Sequence, residues 1–166
     1  MESSLKNMVL VLFTITLVSS AAVGGVYMIT EEPIAQAKIA AVNDALKQVL
    51  PEYEATTSQT IEVNSLPIVA HTATVADKAV GYAVESISKN GFGGTVRLMV
   101  GFDNNGTILN INVLEQKETP GLGTKMADEG NALLASFKDK SAADIKMTVK
   151  KDGGDIDALT AATISS

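Results

Sequence analysis

Cysteine is absent from the 166-residue chain, and with it go disulfides, thiolate metal sites, iron-sulfur ligation and thiol nucleophiles. Any redox chemistry must therefore come from an organic cofactor. Histidine occurs once, as His71, so zinc or haem sites built on several imidazoles are excluded by counting. Basic residues are in deficit: 13 Lys and Arg face 19 Asp and Glu, for a formal charge of -6. Such a chain has no electrostatic footprint for a phosphate backbone, and no nucleic acid partner is expected. Aromatics supply only 4% of residues although hydrophobic residues supply 46%. The apolar content is thus aliphatic and small, and its positive mean hydropathy of +0.20 asks for a local source.

That source is residues 8–29, MVLVLFTITLVSSAAVGGVYMI, which contain no charge. About 20 apolar residues at ~1.5 Å rise cross a bilayer core, so a transmembrane helix is expected. Lipid tolerates the Gly24-Gly25 pair, and Tyr27 suits the interface. A cleaved signal peptide is the rival reading, with small residues at Ser19-Ser20-Ala21-Ala22. The apolar run continues to Ile29, past the ~7 to 15 residues of a signal core, which favours retention. Lys6 precedes the span while Glu31 and Glu32 follow it, orienting the N-terminus to the cytoplasm and the bulk of the chain outside. What remains fits one compact domain. The expected organisation is a cytoplasmic stub and membrane helix over residues 1–30, an amphipathic helix and connector over 31–66, and a folded extracytoplasmic domain over 67–166.

Pro33 suits the first turn of a helix, and Ala35, Ile39, Val42, Leu46 and Val49 recur at spacings of four and three before Pro51 stops the pattern. Residues 53–66 read as an exposed connection with at most one short strand. Four runs rich in Val, Ile and Thr follow, at 68–74, 79–88, 95–102 and 108–114, which predicts an antiparallel meander. Asn105-Gly106 marks a tight hairpin turn. A helix is expected over 126–137, a strand over 145–149 and a polar loop over 150–155. This order gives an α+β class, and without helices between successive strands a dinucleotide-binding βαβ fold is excluded. Gly91-Phe92-Gly93-Gly94 lacks the lysine and spacing of a phosphate loop and reads as a bend leading into a strand.

Two segments carry possible chemistry. In Glu118-Thr119-Pro120-Gly121-Leu122-Gly123, Pro-Gly favours a type II turn, and glycines on both sides of Leu122 let backbone approach a flat ligand. An ordinary strand-to-helix turn explains the same letters. The second segment, residues 157–166, is rich in hydroxyls and small side chains; alone it fits a helix cap or a tail.

Together the two segments, with the N-terminal span and the Gly91 to Gly94 bend, resemble the extracytoplasmic flavin-binding subunits of respiratory ion pumps: the G subunit of the Rnf complex and the C subunit of the sodium-pumping NADH:quinone oxidoreductase. The family pattern reads Asp, two variable residues, Ser or Thr, Gly or Ala, Ala, Thr. Asp157, Thr160, Ala161, Ala162 and Thr163 match it in order. The resemblance implies an antiparallel-sheet FMN-binding domain with flanking helices, and FMN joined to Thr163 by a phosphoester that a flavinyl transferase makes from FAD. Asp157 would serve that transferase's recognition. A helix beginning near Thr163 would offer free N–H groups to the phosphate.

By the same resemblance the isoalloxazine would lie on the ETPGLG loop, with Leu122 on a ring face, Glu118 and Thr119 giving polar contacts, Gly121, Gly123 and Gly94 giving close backbone approach, and Lys125 touching flavin or phosphate. The implied role is electron relay, without catalysis of its own, in a bacterial inner-membrane complex that couples electron transfer between reduced ferredoxin and NAD to sodium or proton movement. Its partners would be the other membrane subunits. The compact soluble part favours the G type over the longer C type. Two alternatives stay open: another extracytoplasmic electron-transfer chain, and an unmodified single-span interaction module. Family members continue past the motif into a further helix, so a truncated chain is expected at Ser166.

His71 reads as a surface or satisfied residue, with proton donation to reduced flavin as the alternative. Arg97, the single arginine, belongs either to an open strand face or to the flavin phosphate. Met99, Met126 and Met147 read as core fillers.

Overall fold

A computed structural model of the protein describes residues 4–63, 66–128, 130–160 and 162, with Leu66 described through its backbone alone. Contacts divide the chain into two units, Met1–Ala41 and Val42–Ser166.

Helix α1 runs over Leu5–Val49 with Pro33 inside it. Its 45 residues at ~1.5 Å rise extend about 68 Å, more than twice the ~30 Å of a hydrocarbon core. One stretch reaches a mean hydropathy of 2.2, long and apolar enough to cross a membrane. Within the apolar stretch the hydroxyls of Thr14, Thr16 and Thr30 each donate to the carbonyl four residues back, at 2.8 Å. Polar atoms that lipid cannot solvate are thereby satisfied on their own helix. The separate helix expected to start at Pro33 is instead a continuation. Proline removes one N–H, and no glycine or asparagine stop signal stands between Ile29 and Pro33 to end the first helix. The expected stripe is also shorter: Ala45, Leu46 and Val49 are buried, Val42 is half-buried, and Ala35 and Ile39 are exposed.

The rest is built on one antiparallel sheet of five strands in chain order: β1 Ala55–Val63, β2 Leu66–Val75, β3 Lys78–Gly91, β4 Gly94–Phe102 and β5 Ile108–Glu115. The meander is as expected, with an added nine-residue edge strand where the sequence suggests a connection with at most one short strand. Alternation assigns the two faces. One face presents Ala73, Ala83 and Met99, which pack with Ala45, Leu46, Val49 and Leu50 into the first core cluster. There a Cβ at Gly101 would collide with the Val49 carbonyl, so the α1 backbone rests directly on β4. The opposite face presents Val96 and Leu98 to the C-terminal segments, forming a second cluster with Met126, Leu133 and Ile156. The β4–β5 turn closes as expected: Gly106 has φ +82, its N–H donates to the Asp103 carbonyl at 3.2 Å, and Asp103 Oδ1 accepts from Asn105 and Thr107.

The C-terminal part departs from the sequence reading in two places. The helix expected over 126–137 is a 3-10 turn, Gly123–Ala127, and a four-residue α2, Ala132–Ala135. Between them Gly130 takes φ +72 and Asn131 caps α2 by accepting from Leu134 N–H at 2.9 Å, so local capping chemistry restarts the helix. The strand expected over 145–149 is irregular: among the described residues it has one strand-like pairing, a parallel bridge from Val149 to Ile156, beside turn-type hydrogen bonds such as Gly154 N–H to the Val149 carbonyl. The polar loop after it contains the 3-10 turn Lys150–Asp152, closed by Gly153 at φ 81.

Candidate functional site

The ETPGLG loop forms the type II turn that Pro120-Gly121 predicts: Gly121 has φ +76 and Leu122 N–H donates to the Thr119 carbonyl at 3.1 Å. Thr124 fastens it, its Oγ1 accepting from Gly121 N–H at 2.9 Å. Thr119, Gly121, Leu122 and Lys125 are exposed. Glu118 is not: it is 5% exposed, and its Oε1 accepts from Gly93 N–H at 3.1 Å. The sequence alone directs this side chain toward a ligand, whereas here its carboxyl ties the β3–β4 turn to the loop. The two glycines beside Leu122 also have different jobs. At Gly121 a Cβ would meet open space, and the residue is required for its backbone angle; at Gly123 a Cβ would lie 2.6 Å from Glu118 Cβ, so the residue is required for packing.

In the terminal motif, Asp157 Oδ2 pairs with Lys150 Nζ at 2.7 Å and Asp157 N–H donates to Ser136 Oγ at 3.2 Å. Thr160 is exposed, and Ala162 N–H donates to the Leu159 carbonyl at 3.3 Å. Ala161 and Thr163, with the helix expected near Thr163, lie outside the described residues. Three segments that are far apart in sequence share the second cluster: Val96 follows the glycine turn, Met126 follows the ETPGLG loop, and Ile156 and Leu159 flank Asp157. Gly94 stands at the start of β4 with φ +118 and open space where a Cβ would project.

Beside this cluster lies a cavity of about 490 Å³, lined chiefly by apolar residues of β4, β5 and the C-terminal segments, with Ser88, Asn90 and Thr148 as polar members. It reaches Gly91, Met126 and Ile156 but neither Glu118 nor Leu122. The cavity therefore adjoins the motif segments without containing their exposed residues. An exposed turn with open backbone, an apolar side chain beside it and an exposed lysine fits the requirements of a flat, phosphate-bearing cofactor.

The sequence reading missed a polar row on the other face of the sheet. Ser58 Oγ lies 2.8 Å from His71 Nδ1, His71 Nε2 lies 3.0 Å from Glu85 Oε1, and Arg97 donates to Glu85 Oε2 at 2.8 Å. Glu115 extends it at 3.8 Å from Arg97. His71 and Glu85 are buried, so His71 is the satisfied residue and not a free donor. Arg97 donates to Glu85 on the face opposite Val96, away from the second cluster where the motif segments meet. One signal was available: Gly81, Ala83 and Glu85 fall on one alternating face, where a carboxylate among small buried residues demands partners.

The FMN-binding domain model matches residues 91–166. The chain is similar to the G subunit of the ion-translocating oxidoreductase complex of Shewanella amazonensis, 32% identical over 99% of this chain and 83% of that protein. It is likewise similar to the protein of the same name from Vibrio atlanticus, 31% identical over 99% of this chain and 85% of that one. With the Shewanella baltica protein identity rises to 41% over 60% of this chain, a stretch that spans 48% of the relative.

Proposed function

Because the chain belongs to the family of G subunits of the ion-translocating oxidoreductase complex, we propose that it is the membrane-anchored electron relay of such a complex, carrying one covalent FMN. One observation carries this reading: the FMN-binding match begins at the glycine turn that closes on Glu118 and extends through the ETPGLG loop and the 157–163 motif. The apolar stretch of α1 anchors the chain in a bacterial membrane, with residues 1–30 as stub and span and the flavin domain on the outer face. Lys6 before the span supports that orientation.

Thr163 supplies the acceptor hydroxyl. In the transferase reaction its oxygen would bond to the FMN phosphorus as the phosphoanhydride of FAD breaks, with AMP as the leaving group and the hydroxyl proton released. In the sequence Thr163 follows two small residues, Ala161 and Ala162, while Asp157 and the exposed Thr160 present the motif to the transferase. Leu122 covers a ring face, Thr119 and the open backbone at Gly121 and Gly94 approach its edges, and Lys125 offers positive charge to the phosphate. Glu118 and Gly123 hold the loop in shape. The flavin, when bound, supplies one-electron and two-electron exchange, for which the protein contributes position and surroundings.

In-gel flavin fluorescence of membranes tests the reading. A fluorescent band at 17.3 kDa is expected in the membrane fraction only when a flavinyl transferase is coexpressed. A dark band under those conditions contradicts the flavin, and a band confined to the soluble fraction contradicts the anchor.

A further inference from the structure

The β3–β4 turn consists of three glycines and one phenylalanine. Two of these glycines are contact residues. A Cβ at Gly91 would lie 2.6 Å from Glu118 Oε1, and a Cβ at Gly93 would collide with the Lys117 carbonyl. From the other side, a Cβ at Gly123 would lie 2.6 Å from Glu118 Cβ and 2.8 Å from its Oε2. Bare backbone thus closes on Glu118 from two directions, which fixes the turn and the loop against each other.

Each of these fixed points is preceded by a large exposed apolar side chain. Phe92, before Gly93, is 69% exposed; Leu122, before Gly123, is 39% exposed. Hairpin turns favour Gly, Asn, Asp and Ser, and leaving a phenyl ring in water forgoes the gain from burying it. We infer that Phe92 is the second apolar contact of the isoalloxazine, paired with Leu122 across Glu118. The inference rests on the flavin reading above. A thin tricyclic ring has the chemistry for this place: its faces and its dimethylbenzene edge are apolar, and aromatic rings attract one another in offset or edge-on geometry. Phe92 is also held by backbone packing and not by a flexible arm, so little ordering is needed on contact. Because it takes no part in the phosphoester, its loss alters the surroundings of the ring and leaves attachment intact.

The test uses the full chain coexpressed with a flavinyl transferase, as wild type, Phe92→Ala, Phe92→Leu and the control Tyr82→Ala. Intact mass reports attachment; iodide quenching of flavin fluorescence and visible circular dichroism report packing of the ring. All four proteins are expected to gain one FMN. In Phe92→Ala the quenching constant should rise and the packed population fall by a factor of about 2 to 10, from the usual strength of an aromatic pair. Phe92→Leu should fall between, and Tyr82→Ala should match wild type. Attached flavin with unchanged quenching and dichroism in Phe92→Ala overturns this inference alone. Loss of attachment in that variant also overturns it, assigning Phe92 to the transferase contact. Wild type without FMN mass removes the flavin reading and this inference with it.

Discussion

At the scale of single residues, Glu118 shows how a functional-looking side chain is spent on structure. Its carboxyl accepts from Gly93 and is walled in by Gly91 and Gly123. Truncating it removes a hydrogen bond to a charged group, which costs about 1.5 to 3 kcal/mol. Glu118→Ala is therefore expected to lower stability by that amount in urea denaturation of the solubilised chain; an unchanged midpoint contradicts the hub. The letters ETPGLG disclose the turn, since Pro-Gly encodes it locally, but the destination of the carboxyl lies 25 residues away and leaves no local trace. Asp103 is a second case. Hydrogen bonds from the backbone N–H groups of Thr107 and then Asn105 hold its carboxyl below the usual carboxylate range. A depressed folded value means that its contribution is complete above the unfolded aspartate value of ~3.9 and is lost as pH falls through the folded value. The stability difference between wild type and Asp103→Ala is expected to be constant near neutral pH and to shrink below about pH 4. A difference that grows on acidification contradicts the assignment.

At the scale of elements, the meander was legible because four of its strands are runs rich in Val, Ile and Thr, and their turns carry glycine or positive-φ positions. Strand β1 was not: it is exposed along almost its whole length, and an edge strand wet on both faces shows no alternation. Its Thr, Ser and Gln content leaves the open edge polar, which discourages pairing with another chain. The expected helix over 126–137 failed because Gly130 and the Asn131 cap override the apolar period. The polar row joins four strands through Glu85. Removing a buried carboxylate that holds two cationic or polar partners costs about 3 to 5 kcal/mol. The side chain of Arg97 is 26% exposed and regains some hydration, which places Glu85→Ala at about 3 kcal/mol of destabilisation by chemical denaturation. A loss below about 1 kcal/mol, the level of a surface pair, shows that the row is not structural.

At the scale of the whole molecule, an apolar helix precedes a five-stranded sheet with different tasks on its two faces. One face receives the end of α1 and the polar row, and the other receives the segments of the candidate site. The anchor, the sheet and the motif strings were all readable in the sequence, because each depends on local composition or spacing. The convergence of the glycine turn, the ETPGLG loop and the terminal motif on Val96, Met126 and Ile156 was not, since burial of residues 30 apart is settled only by the complete fold. The exposed pair Phe92 and Leu122 was hidden for the same reason. The most direct test of the account is intact mass with visible absorption on wild type and Thr163→Val, each coexpressed with a flavinyl transferase alongside a known acceptor protein. A gain of one FMN with a yellow spectrum in wild type, and neither in Thr163→Val, is the predicted result. Wild type without added mass while the acceptor is modified, or a variant that still gains FMN, contradicts the covalent site at Thr163.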